Sequence, residues 1–260
     1  AKACSSRRSS PPPEMPVDML VDDMLGPQLP LALRAPPDQR LERYLRPPAG
    51  LLEYLQALAS GDTVDAAYLQ GIGATGKTHL LVGCCTLANT LGRQASYLAL
   101  SNMRGRLRAA SEGLDADLVA LDDLDAIAGN RDDEVALFDL HNRLRDAGRS
   151  VLYAASATPE ALPLVLPDLR SRLAQCMRWT LPVLDDDGRA ELLRQRAAAR
   201  GLDFDAAALD WMLRRCSRDL GTLTALFERL DRASLAAQRR LTVPFLRQVL
   251  GAEGADSVVP

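Results

Sequence analysis

A stretch of eight residues has the types and spacing needed to hold phosphate groups: Gly71-Ile72-Gly73-Ala74-Thr75-Gly76-Lys77-Thr78. Glycines allow backbone N–H groups to turn inward around a β-phosphate, and a helix that starts at the end of the loop adds its positive dipole end. The Lys77 ammonium can reach the β- and γ-phosphates, and the Thr78 hydroxyl is a ligand for Mg²⁺. We therefore predict a site for ADP or ATP with Mg²⁺; the alternative is an ordinary glycine-rich turn. The residues assigned to it are Gly71, Gly73, Ala74, Thr75, Gly76, Lys77 and Thr78, with the neighbouring His79, for which packing is the alternative.

Lys77 is the only lysine beyond residue 2 in a chain that contains 29 arginines. Such a bias is typical of a coding background that replaces lysine with arginine wherever either residue serves. A compact ammonium and a planar guanidinium are not equivalent at a phosphate loop. The retained lysine therefore supports a specific task at this position.

Apolar residues 118–121 run directly into two carboxylates, Asp122 and Asp123. When a parallel strand ends in this way, its carboxylate lies beside the phosphate loop at the C-terminal edge of the sheet. We expect Asp122 to hold Mg²⁺ through water, and Asp123 to act as the general base that orients an attacking water. The alternative is a solvated turn that includes Asp125.

Two further groups follow later in the chain. Ser156 stands at the tip of the next predicted strand, where its hydroxyl can bind the γ-phosphate or the attacking water; a turn-forming serine is the alternative. Arg170 and Arg172 lie two residues apart, so on a helix they point to different faces and at most one serves a given site. That arginine is either a surface charge or a finger that completes the site of a neighbouring subunit.

Alternating strand and helix patterns supply the elements that position these groups. Strands are predicted at 66–70, 95–100, 118–122, 150–155 and 176–180, with helices at 51–58, 77–91 and 132–147. This order predicts an α/β fold with a mainly parallel five-stranded sheet. After Pro182 only helical patterns follow, at 186–200, 205–217, 220–239 and 243–250, which predicts a small all-helical domain.

The composition favours a soluble globular protein: 47% of residues are hydrophobic, 25% are charged, and the formal net charge is −3. No apolar stretch approaches the ~20 residues that span a bilayer, so we expect no membrane contact.

The five cysteines lack metal-type spacing and no secretory signal accompanies them, which favours reduced thiols in the cytoplasm. Residues 1–26 show no helical or strand period and are predicted to be a disordered tail; Arg7-Arg8 lacks the apolar segment of an export signal.

The phosphate loop, the paired acids, the strand tip Ser156-Ala157-Thr158-Pro159 and the stretch Ser171-Arg172-Leu173 together resemble the AAA+ ATPases of the DnaA group. The resemblance extends from Gln28 to about Leu250 and includes residues 127–129, 138–143, 230–234 and 241–245. It implies an AAA+ P-loop domain over 35–182, a helical lid over 183–252 and a tail over 253–260. It also places Tyr44 and Leu45 beside the base of the nucleotide.

The same resemblance implies a regulator that acts on DnaA. Residues 27–34, with Gln28, Leu29, Leu31 and Leu33, resemble the short extended motif that docks on the sliding clamp of DNA polymerase III; the alternative is that these leucines cover the domain's own core. The family's arginine finger maps to Arg172, which would promote ATP hydrolysis in DnaA on the DNA-loaded clamp and so prevent re-initiation. Because the DNA-reading domain of DnaA has no counterpart here, we expect a cytoplasmic regulator at the replisome and nucleoid rather than an initiator. A homo-oligomer is compatible with the resemblance.

One position departs from the family pattern. DnaA carries a lid arginine that reaches the γ-phosphate, and the matching residue here is Gly221, with Arg218 about one turn earlier. We therefore expect ADP binding to be kept and intrinsic hydrolysis to be weak. Two other functions stay open: a self-sufficient ATPase such as a helicase loader or an initiator-like motor, and a small-molecule kinase with a P-loop.

Overall fold

The computed structural model describes residues 40–202, 204–215, 219–237 and 240–251. The predicted tails 1–26 and 253–260 lie outside the described residues. So does Arg218, and so does the segment 27–34 with Gln28, Leu29, Leu31 and Leu33. Within the described ranges, no helix is long and apolar enough to cross a membrane.

One five-stranded parallel sheet forms the centre of the fold. Its strands are β1 (Ala66–Gln70), β2 (Ala95–Ala99), β3 (Leu118–Asp122), β4 (Ser150–Ala155) and β5 (Met177–Thr180). They lie in the spatial order β2-β3-β4-β1-β5, and every neighbouring pair is parallel. The predicted α/β class with a parallel five-stranded sheet is confirmed. Because the strands run the same way, the carboxyl ends of β1, β3 and β4 meet at one edge.

Helices surround this sheet and continue beyond it. The described residues include α1 (Leu51–Ser60), α2 (Lys77–Thr90), α3 (Leu107–Ser111), α4 (Arg131–Asp146), α5 (Pro167–Ala174), α6 (Asp186–Ala199), α7 (Ala206–Arg215), α8 (Leu220–Ala237) and α9 (Val243–Gly251). Short 3-10 turns lie at Leu41–Arg43, Leu100–Asn102 and Leu124–Ala126. The predicted helical lid is confirmed in α6–α9, whereas its limits at 183 and 252 stay predictions.

Burial on both faces of the sheet explains the unbroken apolar runs of its inner strands. In β3, Val119 and Leu121 belong to a hydrophobic cluster with side chains of α4 and α5. Leu118 and Ala120, on the opposite face, belong to a second cluster with side chains of α1 and α2. A third cluster joins α6–α9 to one another.

Helix α4 begins and ends where its local sequence requires. The Asn130 side chain accepts hydrogen bonds from the N–H groups of Asp132 and Asp133 at 3.1 and 3.2 Å, so it caps the first turn. Acidic residues fill that turn, where the positive end of the helix dipole stabilises them. Gly148, with φ of +67°, follows the last turn.

Several short elements differ from the predictions. The periodicity predicts neither α3 nor α5 as a helix, because five and eight residues are too few to display a 3.6-residue period. The predicted second strand extends to Leu100, where the chain turns into a 3-10 helix, and the predicted fifth strand begins one residue before Met177. Such one-residue shifts are ordinary at element ends.

Candidate nucleotide-binding site

The phosphate loop connects β1 to α2 at the carboxyl edge of the sheet, and its glycines are required by close contacts. A Cβ at Gly71 would overlap the Thr75 hydroxyl, and a Cβ at Gly76 would lie 2.8 Å from a ring carbon of Tyr44. Gly76 also has a φ of +84°, which a side chain disfavours. At Gly73, by contrast, a Cβ would meet nothing within 4 Å, so this side of the loop is open to a ligand.

Lys77 places its ammonium group across the mouth of this loop. Its Nζ donates hydrogen bonds to the carbonyl oxygens of Gly71 and Gly73 at 2.5 and 2.9 Å. Burial lowers the pKa of Lys77. The negative charges of Asp122, Asp125 and Asp123 oppose that shift, and Asp122 has the largest opposing effect. The lysine therefore lies between the loop and the acids, at the place where a β- or γ-phosphate would bind.

Asp122 ends β3 directly beside the start of α2. Its carboxylate is 1% exposed and accepts hydrogen bonds from the hydroxyls of Thr78 at 2.6 Å and Tyr97 at 2.9 Å. Burial and the Asp122 charge raise the pKa of Tyr97, so this phenol stays a proton donor. Hydroxyl and carboxylate oxygens are ligands that Mg²⁺ prefers, so Thr78 and Asp122 fit a Mg²⁺ ion bound with a nucleotide. The sequence patterns do not point to Tyr97.

Asp123, directly after β3, has an unusual backbone conformation. Its φ is +55°, in the left-handed region that aspartate tolerates better than most residues. Its N–H donates to Asp122 Oδ1 at 3.0 Å, and its Oδ2 accepts from the Ser101 hydroxyl at 2.8 Å. The exposed carboxylate is thus held in one orientation, as the predicted general base requires.

Ser156 follows β4 and is tied to the acidic turn after β3. Its N–H donates to Asp125 Oδ2 at 2.8 Å, and its hydroxyl donates to the other oxygen of the same carboxylate. Asp125 therefore orients the serine that we predict to contact the γ-phosphate or the water. The only sequence pattern that points to Asp125 is its place in the acidic run.

Tyr44 and His79 lie against one side of the phosphate loop. The Tyr44 hydroxyl donates to the Thr75 carbonyl at 2.8 Å, and burial raises the pKa of Tyr44 to about 12. The His79 ring meets Tyr44 edge to face at 5.9 Å, and its Nε2 donates to the Arg40 carbonyl at 2.9 Å. Tyr44 thus supports the phosphate loop, while the adjacent Leu45 is partly buried. The base pocket assigned to these two residues stays a prediction.

Comparisons with known proteins agree with this geometry. The sequence profile "Hda, lid domain" matches residues 186–250. A Haemophilus influenzae relative, described as an uncharacterized protein, is 35% identical over 226 residues, which are 86% of this chain and 98% of the relative. Domain III of the replication initiation protein DnaA from Thermotoga maritima has a TM-score of 0.70 at 18% identity, covering 84% of this chain and 97% of that one. The chain belongs to the Hda family of DnaA-related proteins.

Other solved structures share the AAA+ fold with this Hda-family chain. AMPPCP-bound DnaA from Aquifex aeolicus has a TM-score of 0.60 at 19% identity, covering 78% of this chain and 70% of that one. The Thermotoga maritima RuvB branch migration motor has the same TM-score at 16% identity, covering 82% and 72%. At such identities the likeness is one of fold.

The Hda lid places Gly221 over the phosphate loop. A Cβ at Gly221 would lie 3.7 Å from the Cβ of Ala74, so the first turn of α8 adjoins the loop. Asp219 caps this turn, accepting from the Thr222 N–H at 2.7 Å and from the Thr222 hydroxyl at 2.9 Å. The hydrogen bond from the Thr222 N–H, and to a lesser extent the one from the Thr222 hydroxyl, lower the pKa of Asp219 and favour its charged form. Position 221, which adjoins the loop, therefore carries no side chain.

The two candidate arginines, Arg170 and Arg172, have different surroundings on α5. Arg170 donates to the Leu164 carbonyl and so fastens its own helix. Arg172 is exposed, and its side chain makes no hydrogen bond or ion pair with any described residue. Of the two, Arg172 is the arginine available to a partner.

Proposed function

We propose that this chain is a nucleotide-binding regulator of replication initiation. It holds ADP or ATP with Mg²⁺, binds the sliding clamp of DNA polymerase III on DNA, and stimulates ATP hydrolysis by DnaA, which prevents re-initiation. The observation that carries the proposal is the exposure of Arg172 on α5. Membership in the Hda family supports DnaA as the partner. The site of action is the cytoplasm, at the replisome.

The phosphate loop of the chain serves to hold its own nucleotide. Lys77 and the N–H groups of the loop bind the phosphates, and Thr78 and Asp122 hold Mg²⁺, which neutralises phosphate charge when bound. Asp123 and Ser156 face a γ-phosphate or a water. With Gly221 over Ala74 in place of the family's lid arginine, a γ-phosphate gains no guanidinium contact from that position, which favours holding over hydrolysis.

Arg172 acts on the nucleotide of DnaA. A guanidinium delivered from a neighbouring protein stabilises the charge on the transferring phosphoryl group and is worth roughly 10³–10⁵-fold in rate. An arginine whose side chain has no partner among the described residues costs least to transfer, because no ion pair seen there has to be broken.

The test is hydrolysis of DnaA-bound ATP in the presence of DNA-loaded clamp and this chain. We expect the wild type to stimulate hydrolysis and Arg172→Ala to lose at least about 100-fold of that stimulation. Arg194→Ala is the matched control, since the Arg194 side chain is 59% exposed and, among the described residues, forms its ion pair with Glu191 on the same helix, α6. Equal stimulation by Arg172→Ala and wild type would overturn the finger assignment.

Clamp binding has a separate test on residues outside the described ranges. Gln28→Ala combined with Leu31→Ala removes the polar anchor and one apolar anchor of the motif. We expect weaker binding to purified clamp with unchanged nucleotide affinity. Equal affinity of the variant and the wild type for the clamp would refute the assignment.

A self-sufficient ATPase is the second candidate. The observation that favours it is the oriented pair of groups, Asp123 held by Ser101 and Ser156 held by Asp125. Steady-state phosphate release by the purified chain, with and without single-stranded DNA, separates the two functions. Robust turnover without DnaA would favour the second.

A further inference from the structure

The first turn of α4 carries two neighbouring carboxylates that the phosphate site does not use. Asp133 and Glu134 are buried, with 2% and 0% of their surface exposed. Both accept hydrogen bonds from backbone N–H groups of distant segments. Asp133 binds the loop that follows the Leu100–Asn102 turn, through the N–H groups of Gly105 at 2.7 Å and Leu107 at 3.4 Å.

Glu134 binds the segment that leads into α5. Its Oε2 accepts from the N–H groups of Val165 at 2.9 Å and Leu166 at 2.7 Å. Its Oε1 accepts from the Gly129 N–H at 2.7 Å and again from Val165 at 3.1 Å. One carboxylate therefore joins three backbone donors from two loops, one just before α4 and one just before α5.

Helix α5 depends on this contact because its own sequence supplies no cap. Leu166 is the N-cap residue and makes no side-chain cap hydrogen bond, and Pro167 at the first helical position has no N–H to donate. The far side of the helix is fixed by packing, since Leu169 and Leu173 are fully buried. Its start is fixed by Glu134.

A charged residue at this buried position costs desolvation energy, but it accepts hydrogen bonds that an apolar residue could not accept. An apolar side chain would fill the space without desolvating a charge, but it would leave three backbone donors without an acceptor. Hydrogen bonds to a carboxylate are about twice as strong as neutral ones, and the α4 N-terminus further stabilises the negative charge. The result is a rigid attachment of α5 at the end that precedes Arg172 by six residues.

We propose that Glu134 is a positioning residue for Arg172: it fixes the start of α5 and so the place at which the guanidinium meets a partner's nucleotide. The inference rests on the proposed function of Arg172. Glu134 does not contact the nucleotide; it acts through the backbone of Val165 and Leu166.

The test compares Glu134→Gln with Asp133→Asn in the DnaA hydrolysis assay. In Glu134→Gln one oxygen becomes an NH₂ donor that faces backbone N–H donors, so α5 is released at its start. The maximal stimulated rate should fall about tenfold, because shifting a reacting group by ~1 Å costs up to about 100-fold. The chain concentration for half-maximal stimulation should stay within about twofold, as expected when binding is kept and only transition-state contact is lost.

Asp133→Asn is the matched control, because it disturbs an equally buried carboxylate on the same turn that holds a different loop. It should keep the wild-type maximal rate. Amide hydrogen exchange gives a readout that is independent of activity: Glu134→Gln should speed exchange at Val165 and Leu166 and leave β1, β3 and β4 protected. Should Glu134→Gln fail to fold, Glu134→Asp keeps the charge, shortens the reach to Leu166 and should give an intermediate rate.

Three results would overturn the proposal: an unchanged maximal rate in Glu134→Gln, an equal loss in Asp133→Asn, or unchanged exchange at Val165 and Leu166. A wild-type chain that does not stimulate DnaA would instead refute the function proposed for Arg172. The two failures are therefore distinguishable.

Discussion

The phosphate loop and helix α5 each present a cation, and they surround it in opposite ways. Lys77 donates to two carbonyl oxygens of its own loop and lies near three aspartates. The side chain of Arg172 is exposed and makes no hydrogen bond or ion pair within the described part of the chain. The first cation is suited to charge that this chain holds. The second is suited to charge that arrives with another protein.

The supporting contacts differ in the same way. At the loop, side chains orient side chains: the hydroxyls of Thr78 and Tyr97 donate to Asp122, and the Ser156 hydroxyl donates to Asp125. At α5 the helix itself is held, by Glu134 at its start and by the buried Leu169 and Leu173, whereas the Arg172 side chain makes no hydrogen bond or ion pair with a described residue. Individual side chains are therefore held in place at the loop, whereas at α5 the helix is held in place as a whole.

Removal of the loop cation should have the largest effect on nucleotide binding. Lys77→Ala deletes a charged donor to the phosphates and should weaken ADP affinity about 100-fold, since a hydrogen bond to a charged group is worth roughly 1.5–3 kcal/mol. Arg172→Ala should leave ADP affinity unchanged. Calorimetric titration of both variants with ADP checks this. Equal losses in the two variants would erase the contrast between the two regions.

His141, whose pKa is affected by the nearby charge of Arg172, should stay neutral in the folded protein at mildly acidic pH. The His141 Nδ1 lies 2.8 Å from the Tyr153 hydroxyl, and burial, followed by the charges of Arg145 and Arg172, lowers the pKa of His141 from 6.5 to about 4. Between these pH values the unfolded chain binds a proton that the folded chain does not bind. The free energy of unfolding should therefore fall as the pH drops from 6.5 to about 4, by up to about 3 kcal/mol.

His141→Gln removes this contribution, so its unfolding free energy should depend less steeply on pH over the same range. Urea denaturation of the variant and the wild type, at neutral pH and at a pH of about 4, measures how much the free energy of unfolding of each protein changes. Parallel pH dependences of the variant and the wild type would contradict the account.

Two glycines of the loop should respond differently to the same substitution. Gly76→Ala combines a φ of +84° with a Cβ 2.8 Å from the Tyr44 ring, and it should lower the free energy of unfolding by about 2–3 kcal/mol. At Gly73 the φ is +66° and an added Cβ would meet no atom within 4 Å, so Gly73→Ala should lower the free energy of unfolding by only about 1 kcal/mol. Urea denaturation checks the order, and a larger loss in Gly73→Ala would show that Tyr44 does not support the loop.

The smallest effect is expected from the Tyr44 hydroxyl. Tyr44→Phe removes the hydrogen bond to the Thr75 carbonyl and should cost about 1 kcal/mol of stability while keeping the ring packing. The same denaturation experiment measures it. An unchanged stability would mean that water replaces the phenol without cost.

Much of this arrangement can be predicted from the sequence because it is encoded locally. The spacing of Gly71, Gly76 and Lys77 predicts the loop, and the apolar run before Asp122 predicts the strand end that adjoins it. The same patterns predict the five strands and the helical lid to within one or two residues at most ends.

The supporting residues could not be predicted, because their partners are distant in sequence. Tyr97 reaches Asp122 only because β2 pairs with β3 in parallel register, and Glu134 reaches Leu166 across 32 positions. A tyrosine in a strand or a glutamate in a first helical turn has many ordinary roles. Only the fold selects one of them.

The central claim is that the hydrolysis promoted by this chain takes place in the phosphate loop of DnaA. The most direct measurement loads labelled ATP on DnaA alone and supplies this chain with unlabelled ADP, together with DNA-loaded clamp. We predict that labelled ADP forms with the wild type, and that Arg172→Ala leaves the label as ATP. Equal conversion by Arg172→Ala, or turnover of labelled ATP by this chain without DnaA at the same rate, would contradict the account.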